Sequence, residues 1–283
     1  MFVNLDPGAV RIMGLDLSQL IALAQRHGFE GIDPPIHEIA AMDDPRRAAD
    51  MMGKAGLQWG SIGLPVDFRT TDGNFTKSMA ELPKVASVAR QIACERCVTW
   101  IMPCHDRLDY QANFQLHARR LRLVAELLAD QGIRFGREFV GPLTLRNTKK
   151  HSFIHTIEQC LALGDTIGHN CGVLFDTFHW YTSRATSRDI TEKLVSKIVC
   201  VHVNDAIPGR RPERQLDRER ALPCDTGVID LARCVRALRR IHYDGPVTCE
   251  PMIDSFAEEP VDKVANRVAS AIRRMMALNG DPQ

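Results

Sequence analysis

Short apolar runs alternate with longer segments of helical periodicity along the whole chain. Several of the short runs are almost continuously apolar, as expected for strands that are buried on both faces of a parallel sheet. The runs predict eight strands, at Phe2–Asn4, Gly31–Asp33, Gln58–Gly63, Cys97–Met102, Ile133–Val140, Gly172–Asp176, Ile198–Val203 and Pro246–Glu250.

The segments between these runs carry apolar residues three and four positions apart, which predicts amphipathic helices. Clear examples are Leu17–Gly28, which ends at a glycine suited to a helix C-terminus, and Tyr110–Gly132, Ile229–Tyr243 and Pro260–Gly280. Pro208–Leu222 is polar and predicts a long loop after the seventh strand.

Eight strand–helix units in 283 residues favour an α/β fold, a closed (β/α)8 TIM barrel. An open doubly wound sheet usually carries a glycine-rich phosphate loop near its start, and we find no such loop. No shift in composition marks a domain boundary, so we expect a single domain over residues 1–283. In such a barrel the active site lies at the C-terminal ends of the strands.

Composition and charge argue against several classes of function. Lys and Arg number 36 against 35 Asp and Glu, so a net charge of +1 draws the chain to neither nucleic acid nor an anionic membrane. We expect no membrane span and no signal peptide, since the apolar segments are too short. The nine cysteines, including the Cys94–Cys97 pair, are interpreted as reduced thiols. A cytoplasmic protein is therefore expected.

Four consecutive predicted strands deliver metal-binding side chains at their ends: Glu138, Asp176, His202 and Glu250. Three carboxylates meeting at one rim would repel one another, and burial would raise their pKa values. A divalent cation relieves that conflict, and oxygen ligands with one imidazole suit Mn²⁺, Mg²⁺, Co²⁺, Zn²⁺ or Fe²⁺. Each residue alone could equally be a cap, a salt-bridge partner or a core histidine. Their joint occurrence predicts one metal site.

The segments around these residues resemble the xylose isomerase-like TIM-barrel superfamily of sugar isomerases and epimerases. They are Glu138-Phe139-Val140-Gly141-Pro142, Asp176-Thr177-Phe178-His179, His202-Val203-Asn204-Asp205 and Cys249-Glu250-Pro251. Relatives include tagatose/psicose 3-epimerases, hydroxypyruvate isomerases, inosose dehydratases and the endonuclease IV branch. The segment 222–230 is similar to the family's Pro-Gly-x-Gly-x-Ile-Asp loop, with Cys224 where glycine is common.

The resemblance implies roles for these residues. Glu138, Asp176, His202 and Glu250 would bind one divalent metal ion, with Mn²⁺ the first candidate. Glu138 and Glu250 would also be the catalytic acid/base pair, and His179 would face the substrate. The reaction would be proton transfer through an enediolate next to a carbonyl of a sugar or polyol ketone. The implied partners are that small molecule and, as is common among relatives, further copies of the chain in a dimer or tetramer.

Further substrate-binding candidates lie on neighbouring strands and loops. Trp100, at the end of the fourth strand, suits stacking on a sugar or filling of the barrel, and His105 follows it. Arg146 suits an anionic or hydroxyl group of the substrate, or a surface position at a helix start. Asp205 suits orientation of His202 or of the substrate, or a helix N-cap.

Two positions depart from the 3-epimerase members. Thr144 stands where those members have a second glutamate, six residues after the first, and Pro208 stands where they have an arginine, six residues after the metal histidine. Arg210 or Arg220 on the same loop is expected to reach the substrate, and Arg210 is our candidate. These departures argue against 3-epimerase activity on free ketohexoses.

Three other functions are compatible with this fold. A metal-dependent lyase or dehydratase on an inosose or 3-keto sugar begins with the same proton abstraction. A nuclease of the endonuclease IV type uses three metals and a basic surface, so the net charge of +1 argues against it. A non-catalytic barrel would leave the four ligands as unneeded buried charges.

Overall fold

Parallel strands form a ring in the computed structural model, which describes residues 1–278. The strands are β1 (Phe2–Leu5), β2 (Gly31–Ile32), β3 (Gln58–Trp59), β4 (Ile62–Gly63), β5 (Arg96–Trp100), β6 (Cys104–His105), β7 (Arg134–Glu138), β8 (His151–Ser152), β9 (Cys171–Asp176), β10 (Ile198–Val203) and β11 (Pro246–Cys249). The ring has the order β3-β2-β1-β11-β10-β9-β7-β5-β4, and its neighbouring strands pair in parallel. Outside the ring, β6 and β8 form an antiparallel pair.

Residues 58–63 close the ring. The sequence predicts them as one strand, and the structure divides them, with β3 paired to β2 and β4 paired to β5. At the break the Ser61 N–H donates to the Asp33 carboxylate at 2.9 Å. A Cβ at Gly60 would lie only 2.0 Å from that carboxylate, so the break needs a glycine. The eight predicted strands are therefore those of a (β/α)8 barrel, which confirms the predicted fold.

Helices follow the strands. They are α1 (Leu17–His27), α2 (Ile36–Ile39), α3 (Arg46–Ala55), α4 (Asp72–Met79), α5 (Leu82–Gln91), α6 (Tyr110–Asp130), α7 (Leu143–Arg146), α8 (Ile157–Ile167), α9 (Thr177–Thr182), α10 (Ser187–Lys193), α11 (Leu231–Arg240) and α12 (Val261–Met276), with short 3₁₀ helices at Pro212–Arg214 and Asp254–Glu258. Within residues 1–278, no helix combines the length and apolarity that crossing a bilayer requires.

The first helix shows how local sequence sets its ends. Asp16 caps α1 by accepting the Gln19 N–H at 2.8 Å, and Gln19 reciprocates in a capping box. Gly28 ends the helix in the left-handed conformation at φ 69°, as its position in the sequence predicts. The last helix ends at Met276, and the predicted end at Gly280 lies outside the described residues.

A small apolar cluster supports the end of the barrel that carries the predicted ligands. Leu174, Val199 and Cys200 are buried together, and Val98 packs against them. Leu174 precedes Asp176 by two residues, so both side chains project from the same face of β9. The polar residues at the strand ends therefore rest on a packed apolar layer.

Candidate metal centre and active site

The four residues predicted to bind a metal converge at one point. Glu138 ends β7, Asp176 ends β9, His202 lies on β10 and Glu250 directly follows β11. His202 pairs in register with Asp176, so their side chains project from the same face of the sheet. One ligand atom from each of the four residues lies within 4.8 Å of the others. The strand ladder thus assembles the predicted set.

Two ligand atoms in this group are buried and have no hydrogen-bond partner, namely Oε1 of Glu138 and Nδ1 of His202. They lie 3.8 Å apart, and the same Nδ1 lies 3.6 Å from Oε2 of Glu250, which is too long for a hydrogen bond. Buried polar atoms nearly always have partners. A divalent cation between them would satisfy both orphaned atoms, so these residues fit a metal ion.

The electrostatics of the site shift the pKa values of the two glutamates in opposite directions. Burial, together with the carboxylates of Glu250 and Asp176, raises the pKa of Glu138 well above its usual value. Burial also opposes the charge of Glu250, but His202 and Arg220 outweigh it and lower the pKa of Glu250 to about 2. Burial likewise disfavours the charged imidazole of His202, yet the carboxylates, Glu250 foremost, raise its pKa to about 10. The free site therefore holds protons where a cation would bind.

Asp176 is fixed by the turn that leads into α9. Its Oδ1 accepts the His179 N–H at 2.8 Å, so the residue is both a strand end and a helix N-cap. Its Oδ2 accepts the side-chain amide of Asn204 at 2.8 Å. The N–H of Asn204 in turn donates to Thr177 Oγ1 at 3.0 Å. These bonds orient the carboxylate before any ligand binds.

His179 faces the same carboxylates. The Gly141 N–H points at its Nδ1 at 3.4 Å, and Nη2 of Arg220 lies 3.3 Å from its Nε2, so both ring nitrogens face donors. Nε2 lies 3.9 Å from Glu138 Oε1 and 3.8 Å from Asp217 Oδ1. Burial lowers the pKa of His179, which favours the neutral ring at the site.

Arg220 enters the site from the loop after β10. Its Nη1 lies 2.9 Å from Oε2 of Glu250 and 3.3 Å from Oδ2 of Asp176. Its Nη2 donates to Oδ1 of Asp217 at 2.9 Å. The side chain is 1% exposed, so the guanidinium is part of the buried site. Of the two arginines that the sequence offered on this loop, the structure brings Arg220 to the ligands.

Our candidate Arg210 has a different partner, since its Nη1 lies 2.5 Å from Oε2 of the half-exposed Glu219. The side chain of Asp205 also contacts the loop and not the metal ligands. Its buried carboxylate accepts backbone N–H groups along the loop, at Ala206 (2.9 Å), Thr226 (3.3 Å), Gly227 (2.8 Å) and Ile229 (3.0 Å). It is neither a helix N-cap nor a partner of His202 in the structure. Asp205 holds the loop that carries Arg220.

The other predicted substrate residues lie on the β5 and β7 side of the ring. Trp100 is 44% exposed and pairs in register with Glu138, so its ring borders the site instead of filling the barrel. The guanidinium of Arg69 stacks on that ring, 4.2 Å from its centroid. His105 Nδ1 accepts two backbone N–H groups of the following turn. Arg146 lies on α7, and its buried Nε has no partner. Substrate contact by these residues stays a prediction.

Two carboxylates at the same rim were missed by the sequence analysis. Asp6 follows β1 and Asp33 follows β2, where Asp33 accepts the side-chain amide of Asn4 at 2.7 Å. Burial and the neighbouring Asp6 raise the pKa of Asp33 to about 7, and burial raises that of Asp6. The rule that found the metal ligands, a titratable residue at a strand end, would have found this pair on the first two strands.

Comparison with known proteins agrees with this architecture. A family model described as xylose isomerase-like TIM barrel matches residues 21–275. A xylose isomerase domain protein from Alicyclobacillus acidocaldarius subsp. acidocaldarius is 28% identical, with a TM-score of 0.83 over 98% of this chain and 99% of that chain.

Two further solved structures share the fold at lower identity. The IolI protein, solved with a bound zinc atom, is 16% identical, with a TM-score of 0.81 over 98% of each chain. A D-psicose 3-epimerase, solved in the presence of D-fructose, is 14% identical, with a TM-score of 0.75 over 98% of this chain and 99% of that chain. A search of curated proteins finds no match. With the family model covering most of its length, the chain belongs to the xylose isomerase-like TIM-barrel family.

Proposed function

We propose that the protein is a divalent-metal-dependent isomerase or epimerase that moves a proton next to a carbonyl of a sugar or related polyol ketone. The placement of two glutamates supports this most. Glu138 on β7 and Glu250 after β11 stand at the two ends of an arc whose middle strands carry Asp176 and His202. Two carboxylates on either side of a bound substrate suit removal of a proton at one position and its return at another.

Each residue has a chemical role in this proposal. A divalent metal held by the four ligands, Mn²⁺ being the first choice, would supply Lewis-acid stabilisation of charge on the substrate oxygens. Glu250, which His202 and Arg220 keep ionised, takes a proton from the substrate carbon, and Glu138, whose pKa is raised, gives its own proton to the substrate; exchange with solvent then restores both carboxyl groups. His179 presents its Nε2 edge to the substrate beside Glu138.

The substrate is bound from the β5 and β7 side of the ring. The exposed ring of Trp100 next to Glu138 stacks on an apolar face of the sugar. Arg146, whose Nε lacks a protein partner, offers a cation to a hydroxyl or anionic group, and His105 borders the same loop.

Metal analysis and an activity screen test the proposal. Purified protein should hold about one divalent ion per chain, and a screen of ketoses, aldoses, inososes and 3-keto sugars with added Mn²⁺ should find turnover with exchange of a carbon-bound hydrogen in D2O. Glu138→Gln and Glu250→Gln should each lower kcat by on the order of 10²-fold to 10⁴-fold. Glu219→Gln, which removes a half-exposed carboxylate paired with Arg210, is the matched control. Full activity in both site variants would contradict the proposal.

The alternative is a lyase or dehydratase acting on an inosose or 3-keto sugar. Thr144 occupies the position of the second glutamate of the 3-epimerases, and its Oγ1 donates to the Gln215 carbonyl at 2.7 Å, so α7 supplies a loop contact there and no carboxylate. The same screen separates the two reactions. Elimination yields water and an unsaturated ketone that absorbs ultraviolet light, whereas isomerisation leaves the mass of the substrate unchanged.

A nuclease of the endonuclease IV type is disfavoured. Among residues 1–278, one group of three or more potential metal ligands is found. A nuclease of this type uses three metals and would need more ligands than this group provides. We expect abasic-site DNA to remain intact in a gel assay with the Mn²⁺-loaded protein.

A further inference from the structure

Arg220 is a permanent cation placed directly on the carboxylates that are proposed to bind a cation. Its Nη1 lies 2.9 Å from Oε2 of Glu250 and 3.3 Å from Oδ2 of Asp176. A guanidinium does not lose its proton in a protein, so its charge persists when a metal binds. The guanidinium and a bound metal ion would therefore share the carboxylates of Asp176 and Glu250.

Arg220 is held so firmly that it cannot leave the site easily. Its Nε donates to the Asp217 carbonyl at 2.8 Å and its Nη2 to the Asp217 carboxylate at 2.9 Å. The ring of Phe178 lies 4.8 Å from the guanidinium carbon. Since the side chain is almost fully buried, its rotation into solvent would leave the buried carboxylate of Asp176 without its cation.

Hydrogen bonds from the guanidinium distinguish two of the four proposed ligands from the other two. Asp176 and Glu250 already accept hydrogen bonds from Arg220. Oε1 of Glu138 and Nδ1 of His202 are buried and accept none. A carboxylate that shares its electron density with a donor is a poorer ligand, and a neighbouring positive charge repels an incoming cation.

We propose that Arg220 is a built-in competitor of the metal, which weakens metal binding at Asp176 and Glu250. This inference rests on the proposed metal-dependent function. Arg220 acts through the ligands, so it is a positioning residue that sets the affinity of the site. In the free protein it also neutralises carboxylates that would otherwise repel one another.

Calorimetric titration of metal-free, full-length protein with Mn²⁺ tests this role. Arg220→Met should bind Mn²⁺ at least about tenfold more tightly than the natural protein, because a like charge beside the metal is gone. Arg220→Lys keeps the charge and should stay near the natural affinity. Arg210→Met removes an arginine of the same loop that pairs with Glu219 at the rim, and it should leave the Mn²⁺ affinity unchanged.

Folding of each variant is checked by circular dichroism. If Arg220→Met does not fold, the double variant Asp217→Asn/Arg220→Met takes its place, since it removes the buried pair together and should also bind Mn²⁺ more tightly. A folded variant without Arg220 that binds Mn²⁺ with equal or lower affinity would overturn the competitor role and leave the metal site standing. Absence of Mn²⁺ binding in both the natural protein and the folded variant would overturn the competitor role and the proposed function together.

Discussion

Protons and a metal ion compete for Glu138 and His202. The carboxylates, Glu250 above all, outweigh burial and raise the pKa of His202 to about 10, while burial and neighbouring acids raise that of Glu138. The charged imidazole stabilises the free fold fully below the ordinary histidine pKa of about 6.5, and this contribution is lost as the pH rises through about 10. A metal needs the neutral imidazole and the ionised carboxylate.

Mn²⁺ binding near neutral pH is therefore expected to release protons, and its affinity should rise with pH up to the titration of His202 at about 10. Calorimetry in two buffers of different ionisation enthalpy measures the number released. The His202→Asn variant, which has no imidazole to deprotonate, should release fewer protons. An affinity that is independent of pH, with no proton release, would contradict the assigned protonation of the free site.

The two glutamates should have opposite effects on the stability of the metal-free protein. Glu138 is buried beside two acids and its Oε1 lacks a partner, so Glu138→Gln should stabilise the metal-free fold by about 1 kcal/mol. Glu250 pairs with Arg220, so Glu250→Gln should destabilise it by roughly 2 kcal/mol because a buried cation loses a partner. Urea unfolding in a chelator measures both. Two variants that change stability in the same direction would show that the charge assignment is wrong.

At the scale of elements, the loop between β10 and α11 is anchored at its start by Asp205. The carboxylate collects four backbone N–H groups of the loop, and the Asp205 backbone exchanges hydrogen bonds with Ala221 at 2.8 and 2.9 Å. Ala221 directly follows Arg220. The position of the arginine thus depends on a residue that does not itself reach the metal ligands.

Asp205→Ala is expected to destabilise the protein by at least about 2 kcal/mol, because several buried N–H groups lose their acceptor. Hydrogen exchange of the amides at 206–230 should accelerate, and the Mn²⁺ affinity should change with the displaced arginine. Asp230→Ala is the matched control: Asp230 caps α11 by accepting the Arg233 N–H at 2.9 Å, so its loss should cost about 1 kcal/mol with the metal affinity unaltered. Equal metal affinity in Asp205→Ala would contradict the anchoring role.

The packing of β7 against α8 depends on a glycine. Arg137, the residue before Glu138, is fully buried, and its Nη2 donates weakly to the Cys160 carbonyl at 3.5 Å. A Cβ at Gly164 would lie 2.3 Å from that nitrogen. The helix can therefore approach the strand only where it has no side chain.

Gly164→Ala should destabilise the protein by roughly 2 kcal/mol or more, since the added methyl group has no room. Arg137→Met in the same chain should restore most of that loss, because it shortens the side chain and removes a buried charge without an acidic partner among the described residues. Urea unfolding of both single variants and the double variant measures the coupling. Strictly additive effects would contradict the assigned contact.

At the scale of the whole molecule, the proposed metal links strands that are distant in sequence. The ligands come from β7, β9, β10 and the residue after β11, so a bound ion joins half of the ring. Mn²⁺ at about 100 times its Kd should raise the free energy of unfolding by about 2.7 kcal/mol, and a chelator should reverse the effect. Thermal unfolding with and without Mn²⁺ measures it. An equal rise in Tm for the Glu138→Gln/His202→Asn double variant would show that the ion binds elsewhere.

Most of the barrel could be predicted because each strand is a short apolar run that can be recognised from its own sequence. The runs at Ile198–Val203 and Gly172–Asp176 coincide with β10 and nearly with β9, and Leu17–Gly28 matches α1 with its glycine cap. The division of residues 58–63 could not be predicted, because it depends on a hydrogen bond from Ser61 to a carboxylate 28 positions earlier in the chain. Hydrophobic periodicity reports on the segment itself and contains no information about a hydrogen-bond partner that is distant in sequence.

The sequence by itself determined the ring of strands and the meeting of Glu138, Asp176, His202 and Glu250. The physical reason is that parallel strands of a barrel end at one rim, so the order of residues along each strand suffices to place their side chains together. Only the tertiary structure decided that Arg220, and not Arg210, reaches those ligands, and that Asp205 serves the loop. A polar loop without regular periodicity places its side chains through contacts that are distant in sequence, and these exist only once the chain has folded.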